Sequence, residues 1–289
     1  MSEPLRSRII VLNYNGKDLL NQCLPSIVEA AGAASFPTRV TVLDNCSTDG
    51  SADFIRKQFP SIDLYAAREN RVLCSYNDCV RDSPEPVVIL LNNDIRVARE
   101  FVDPLIRKFA EDPSTFMAAP KVLNFDGSAI DAARTKARLR FGLFYSTARY
   151  PGFENDADQP SETFSSGFGA FSREKFLALG GYDDRFLPGI MEDADLCLRA
   201  RRAGHHLYYE PRSIVYHMGQ ATFKKEYGRR GIEVLAHRNN FLFLWKNFSG
   251  PVFWIKHLFF LPFRFAGDLL RARGTLTQGF IEAVRKINS

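Results

Sequence analysis

Short apolar runs, each cut off by polar residues, constrain this chain more than any other feature. Arg8–Asn13 (RIIVLN), Arg39–Leu43 (RVTVL) and Val87–Leu91 (VVILL) read as buried strands, with Ile62–Ala66 as a further strand between them. After the first run, Leu19, Leu20, Cys23, Leu24, Ile27 and Val28 recur at helical spacing, although Pro25 should weaken the later part of that helix. Ser51–Phe59, Phe101–Glu111, Arg173–Leu179 and Glu192–Ala203 predict further helices, and Met117–Val122 a further strand. Strands alternating with helices imply an α/β fold with a mostly parallel sheet and right-handed crossovers. In such sheets ligands bind beyond the carboxyl ends of the strands. Asn13-Tyr14-Asn15, Asp44-Asn45 and Asn92-Asn93-Asp94 all fall at such ends, so one site could collect all three. Asp126–Thr163 shows no clear period and is expected to be a long, functional loop region.

The chain has 289 residues, enough for one large domain or one domain with a small appendage. Its 45% hydrophobic and 25% charged residues exclude a disordered chain. The five cysteines are odd in number and form no CxxC pair, which argues against a disulfide framework or a zinc ribbon. The N-terminal apolar run passes straight into the first strand, so no signal peptide is expected.

Three groups of residues could carry chemistry. A carboxylate just past a buried strand, as in Asn92-Asn93-Asp94, is placed to hold Mg²⁺ or Mn²⁺ together with substrate phosphates; the same residues also suit a plain turn. Glu192-Asp193-Ala194-Asp195 opens a helix. Capping explains some of that acidity, but three carboxylates in four residues repel one another, which raises at least one pKa and suits a general base. His217 follows a strand-like run and is either structural or a second metal ligand. Ser165-Ser166-Gly167-Phe168-Gly169 is a small-residue loop that backbone or ligand could approach closely.

Taken in order, VLNYNG, VLDNCSTDGS, LLNNDI, SSGFGAFSREKF, GGYDDRFLPGIMEDADLCLRARRAG and VYHMGQAT resemble a family 2 glycosyltransferase of the GT-A fold, over roughly Ile9 to Asn240. The pattern is most similar to bacterial rhamnosyltransferases and O-antigen or cell-wall glycosyltransferases. The resemblance implies that Asn13 and Asn15 line a nucleotide pocket, with Asp44 on the uracil or thymine and ribose. Asn93 and the Asn70–Asn77 stretch would join the donor site, with Arg68 or Arg71 contacting a phosphate. Asp94 would be the metal-coordinating acid, and His217 would reach the metal or the diphosphate. Ser166 and Gly167 would border donor sugar and acceptor, and Asp193, paired with Glu192, would be the catalytic base. The chain departs from the family pattern at Asn92, where an acid is usual, and in the Asn70–Asp78 stretch, where a glycine is lost. The implied activity is an inverting transfer from a UDP- or dTDP-sugar to a glycan or lipid-linked acceptor. The rival readings are a nucleotidyltransferase and a degenerate, membrane-bound scaffold.

The excess positive charge lies in the tail. Residues 238–289 carry eight Lys/Arg and two Asp/Glu, together with both tryptophans and nine phenylalanines. Lys246, Pro251, Lys256, His257, Pro262 and Arg264 interrupt the apolar run, so a spanning helix is not expected. Aromatics mixed with basic residues suit a membrane interface, whereas packing on a catalytic core is the plainer alternative. The sequence therefore predicts a catalytic domain over 1–237 and a helical, membrane-associating region over 238–289. It places the protein on the inner, cytoplasmic face of a membrane, with no nucleic-acid partner.

Overall fold

The computed structural model describes residues 5–219, 221–271 and 273–288. Residues 1–4 and Gln220, the latter within the last motif, lie outside the described residues. The first half alternates as expected: β1 (Ser7–Asn13), α1 (Lys17–Ala33), β2 (Thr38–Asp44), α2 (Ser51–Gln58), β3 (Asp63–Ala66), α3 (Tyr76–Asp82) and β4 (Val87–Asn92). Then come β5 (Ile95–Val97), α4 (Val102–Glu111), β6 (Thr115–Asn124), β7 (Ile130–Ala132), β8 (Lys136–Arg140), β9 (Leu143–Thr147), α5 (Phe153–Asp156) and β10 (Ser161–Glu162). The remainder is β11 (Gly169–Ser172), α6 (Arg173–Ala178), α7 (Glu192–Arg202), β12 (His206–His217), α8 (Ala221–Asn247), α9 (Pro251–Leu270) and α10 (Thr275–Ile287).

The main sheet runs β10-β12-β6-β11-β4-β1-β2-β3. β3, β2, β1 and β4 are parallel, β11 is antiparallel to both its neighbours, and β12 is again parallel to β6. Alternate residues of the central strands enter two cores. Ile9, Val11, Val42, Ile89 and Leu91 pack with Leu20, Leu24 and Ile27 of α1. Ile10, Leu43, Val88 and Leu90 pack on the other face with Cys79, Phe176 and Leu196. Burial of both faces explains why these strands are continuous apolar runs rather than alternating ones. The register sets Asn13 beside Asp44 and Leu12 beside Asn92, so the three polar strand ends do converge.

Pro25 does not end α1, which continues to Ala33. The Ser26 hydroxyl donates to the Cys23 carbonyl at 2.8 Å in the turn that Pro25 occupies. The stretch Asp126–Thr163, expected to be a loop, instead holds four strands and a short helix; the difference has a local cause. β8 and β9 form a hairpin through Phe141-Gly142, both at positive φ (49° and 71°). A two-residue turn needs that geometry, but Phe-Gly lacks the Asn-Gly signature that reveals it in a sequence. A Cβ on Gly142 would also meet the His257 Cα at 2.8 Å, because the hairpin tip lies directly on α9.

The position between 237 and 238 falls inside α8, which runs from 221 to 247 with a kink at Gly228. A third core joins Phe144 of the hairpin and Phe186 and Ala194 beside α7 to Phe241, Phe243, Leu261 and Leu276 of the last three helices. The tail's aromatics therefore divide. Phe241 and Phe243 of α8 are buried in this core, whereas Phe259 and Phe263 of α9, with Ile255 and Leu258 beside them, stand in solvent. Among the described residues, no helix is long and apolar enough to cross a membrane.

Candidate active site

At the carboxyl edge of the sheet, buried polar side chains wire the loops together. The Asn13 amide donates to Asp44 Oδ1 at 3.2 Å and to Ser47 Oγ at 3.1 Å, and its oxygen accepts from Asn93 at 2.8 Å. Asn15 Oδ1 accepts from the Thr48 backbone N–H at 2.7 Å. Asn45 donates to Asn70 Oδ1 at 2.7 Å and accepts from Ser75 at 2.6 Å. A Cβ on Gly16 would sit 2.0 Å from the Asn93 amide nitrogen, so glycine is needed there for close approach. Asn13 has no exposure and Asp44 only 7%, so both act from inside the loops. The cavity wall itself is made by Tyr14, Asn45, Asn70, Asn92, Asn93 and Asp94.

That cavity has a volume of about 570 Å³. A second, of about 270 Å³, lies on the other side and is walled by the base of the hairpin at Thr135, Ser146 and Thr147. Gly167, Phe168, Asp193 and His217 line both cavities. Asp193 thus sits where the two spaces meet. Ser166 also lines the second cavity, and its hydroxyl donates to the Phe168 carbonyl at 2.6 Å.

Asp94 and His217 come together as expected, with His217 Nε2 at 3.5 Å from Asp94 Oδ2. Asp131, which no sequence motif singles out, lies 3.6 Å from His217 Nδ1 and is itself ion-paired with Arg149. Burial lowers the His217 pKa, but Asp94 and Asp131 outweigh it and leave the imidazole raised. The buried Asp94 Oδ1 has no hydrogen-bond partner. Among the described residues, no group of three or more His, Cys, Asp and Glu is placed to hold a metal. A cation at Asp94 and His217 would have to complete its shell elsewhere, as Mg²⁺ commonly does with substrate phosphates and water.

Glu192 and Asp193 open α7, and the chain leading into it is strained. Gly189, Ile190 and Met191 all have positive φ (146°, 75° and 82°), which is unfavourable for a β-branched residue such as Ile190. Two adjacent side chains of α8 hold this turn, Arg238 donating to the Leu187 carbonyl at 2.6 Å. The fully buried Asn239 amide donates to the carbonyls of Phe186 (2.7 Å), Gly189 (2.7 Å) and Ile190 (2.8 Å). The adjacent Asn240 bonds both backbone groups of Phe144 in the hairpin. Lys246 reaches Asp183 at 2.6 Å and the fully buried Asp195 at 2.7 Å, and Asn247 donates to Asp195 at 2.8 Å. Burial pushes Asp183 up, but Lys246 outweighs it and holds the carboxyl at about 2. The tail is therefore a frame for the carboxylates as well as an appendage. The only sequence signal for this frame is the polar doublet Asn239-Asn240 just before the apolar run Phe241–Trp245.

Both candidate catalytic acids hold protons more tightly than a free carboxylate. Burial raises Glu192 to about 8, with the Asp193 charge adding to it, and Glu192 Oε2 has no partner. Burial also raises Asp193, against opposing hydrogen bonds from backbone N–H groups and the Ser165 hydroxyl. Ser165 thus bears directly on Asp193, a role that adjacent Ser166 does not share.

Two expected donor residues face elsewhere. The Asn77 side chain bonds the backbone N–H and carbonyl of Tyr182 at 2.9 and 2.8 Å and lines neither cavity. Arg71 is ion-paired with Asp184, with Asp78 at 3.9 Å and Glu69 at 3.8 Å.

Comparison with known proteins agrees with this architecture. The family model described as Glycosyl transferase family 2 matches residues 8–179, which is more than half of the chain. The chain belongs to glycosyl transferase family 2. This glycosyltransferase is 26% identical over 269 residues to the N-acetylglucosaminyl-diphospho-decaprenol L-rhamnosyltransferase of Mycobacterium tuberculosis, covering 84% of this chain and 85% of that one. Among solved structures, it superposes on the mannosyltransferase PcManGT of Pyrobaculum calidifontis, in complex with GDP-Man and Mn²⁺, with a TM-score of 0.59 at 17% identity, over 98% of this chain and 76% of that one. It matches S. aureus TarS residues 1–349 with a TM-score of 0.59 at 13% identity, over 98% and 80% of the two chains. GalNAc-T7 with UDP, GalNAc and Mn²⁺ gives 0.57 at 16%, over 75% of this chain but only 44% of the longer one. The glycosyltransferase has the GT-A fold.

Proposed function

We propose that this glycosyltransferase moves a sugar with inversion from a UDP- or dTDP-sugar to a glycan or lipid-linked glycan acceptor, with Asp193 as general base. The observation that carries the proposal is the position of Asp193 on the boundary between the two cavities. The larger cavity, walled by the polar strand ends, takes the nucleotide and its sugar. The smaller one, beside the hairpin, takes the acceptor. Asp193 accepts the acceptor hydroxyl proton as that oxygen bonds to the anomeric carbon. The bond from that carbon to the diphosphate breaks, and the nucleoside diphosphate leaves. One displacement inverts the centre. A raised pKa makes Asp193 a stronger base once ionised.

Asp94, with its unpartnered oxygen, and His217 suit one divalent cation, Mg²⁺ or Mn²⁺, shared with the donor diphosphate. Such an ion supplies Lewis-acid neutralisation of the departing phosphates. Asp131 orients His217 from behind. The mycobacterial relative's name supports a lipid-linked acceptor and a rhamnosyl donor. The exposed apolar face of α9 supports peripheral attachment to the cytoplasmic face of a membrane.

Thermal stability against UDP, dTDP, GDP, ADP and CMP, each with and without Mn²⁺, tests the donor half. A ligand at about 100 times its Kd stabilises by about 2.7 kcal/mol. A Mn²⁺-dependent rise with UDP or dTDP alone is expected. No rise with any nucleotide would return the scaffold reading.

A further inference from the structure

The β8–β9 hairpin belongs to the catalytic core by sequence, yet its tip is built into the tail. Arg264 of α9 donates to the Phe141 carbonyl at 2.8 Å and the Arg140 carbonyl at 3.0 Å. His257 meets the Gly142 carbonyl at 2.7 Å, and the Phe141 and Phe260 rings lie 5.1 Å apart. Hairpin and helix therefore present one continuous surface. Its apolar part is large: Phe141 and Tyr145 are 48% and 39% exposed, and Ile255, Leu258, Phe259 and Phe263 between 59% and 67%. A groove of about 650 Å³ runs between the two elements, floored by Phe141, Tyr145, Phe259 and Phe263 and edged by Arg138 and Arg140.

The charged residues that line the groove are Arg138, Arg140 and Arg264, all of one sign, whereas Lys136 and Arg149 are ion-paired with Asp156 and Asp131. The single acid of α9, Asp268, is buried and accepts from the Thr277 backbone N–H at 3.1 Å. A greasy groove rimmed by exposed guanidinium groups complements a phospholipid, with acyl chain in the groove and phosphate at the rim.

The geometry points to a membrane-docking surface formed jointly by the hairpin and α9, with Arg138 and Arg140 binding the phosphates of anionic phospholipids. This rests on the peripheral attachment proposed above and adds its second half, which lies outside the tail. It also fixes an orientation. Ser146, at the base of the hairpin, lines the cavity that contains Asp193, while Leu143, paired with Arg140, stands at the tip. Three residues of strand separate them, about 10 Å. Arg138, paired with Tyr145, lies one residue from Ser146, so the docked protein holds its acceptor cavity no more than about 10 Å from the lipid phosphates, within reach of a glycan still attached to its lipid.

The test is flotation of the whole protein with phosphatidylcholine vesicles and with mixed phosphatidylcholine–phosphatidylglycerol vesicles. The wild-type protein should bind the mixed vesicles more tightly, and less so at high salt. Arg138→Gln with Arg140→Gln should cut partitioning onto the mixed vesicles roughly thirtyfold and leave the neutral vesicles unaffected. Phe259→Asp with Phe263→Asp should weaken binding to both. An unchanged nucleotide-induced melting shift shows that each variant is folded. If the arginine variant floats as the wild-type protein does while the phenylalanine variant does not, the tail docks alone and the joint surface is wrong. If the wild-type protein binds neither vesicle, peripheral attachment itself fails, whereas the melting shift still reports separately on the donor site.

Discussion

Asn239→Ala removes three of the hydrogen bonds that hold the turn in front of Asp193, leaving the one from Arg238 to Leu187. Two N–H donors serve three carbonyls, at 2.7, 2.7 and 2.8 Å. Each buried carbonyl left unpaired costs about 1–3 kcal/mol. Relaxation of Ile190 and Met191 from positive φ returns about 1–3 kcal/mol each, so the net loss of stability should be modest, about 2 kcal/mol. At about 2.1 cal/mol/K per residue, a chain of 289 residues loses about 0.6 kcal/mol per degree, so Tm should fall by about 3 °C. The kinetic effect should be larger. Relaxation of the turn moves the first turn of α7, and a displacement on the order of 1 Å costs about 100-fold in rate. The donor cavity keeps its other walls, so KM for the donor should change little while kcat falls. Calorimetry and steady-state transfer assays on the same preparation measure both. A lowered Tm with kcat unchanged would mean that the position of Asp193 does not depend on Asn239.

Glu192 gives a pH-dependent stability. Its folded value of about 8 exceeds the ordinary 4.5, so its contribution is fully present below about pH 4.5 and is lost as pH rises through about 8. That interval corresponds to about 5 kcal/mol, or about 8 °C. Glu192→Gln should melt with the wild-type protein near pH 5 and well above it at pH 9; a difference that does not grow with pH would contradict the burial argument. Asp94→Asn should abolish the Mn²⁺ dependence of the nucleotide-induced melting shift, and retention of that dependence would exclude Asp94 as a ligand. Lys246→Met should cost about 2 kcal/mol, because Asp183 and the buried Asp195 each lose a charged donor while Asp195 keeps Arg199 at 2.8 Å and Asn247; adding Asp195→Asn, which also breaks the Arg199 pair, should not restore it. Full recovery in the double variant would mean that Asp195 does not depend on Arg199 and that Lys246 serves only to neutralise it.

The sheet was legible because parallel strands buried on both faces must be apolar throughout, and Val87–Leu91 could hardly be anything else. The convergence of Asn13, Asp44 and Asn92 followed from the same rule, since strand ends in such a sheet share an edge. What the sequence did not separate was facing inward from facing the ligand: Asn13 and Asp44 wire the loops, whereas Tyr14 and Asn45 line the cavity. The hairpin was hidden because its outward side chains are charged and its turn is Phe-Gly. The tail aromatics looked uniform, yet Phe241 and Phe243 are fully buried and Phe259 and Phe263 are not. Helical periodicity shows which residues share a face but not what covers that face. Asn239 was illegible for a related reason: a polar residue on a helix is usually solvated, and only tertiary structure brings three carbonyls to it.

Asp193→Asn isolates the role of Asp193 as base, because it keeps the shape of the side chain and removes its ability to accept a proton. Transfer to acceptor and the nucleotide-induced melting shift should be measured on the same protein. Transfer should be lost while the melting shift survives nearly intact. Transfer at close to the wild-type rate, or loss of both together, would contradict the assignment of Asp193 as the base.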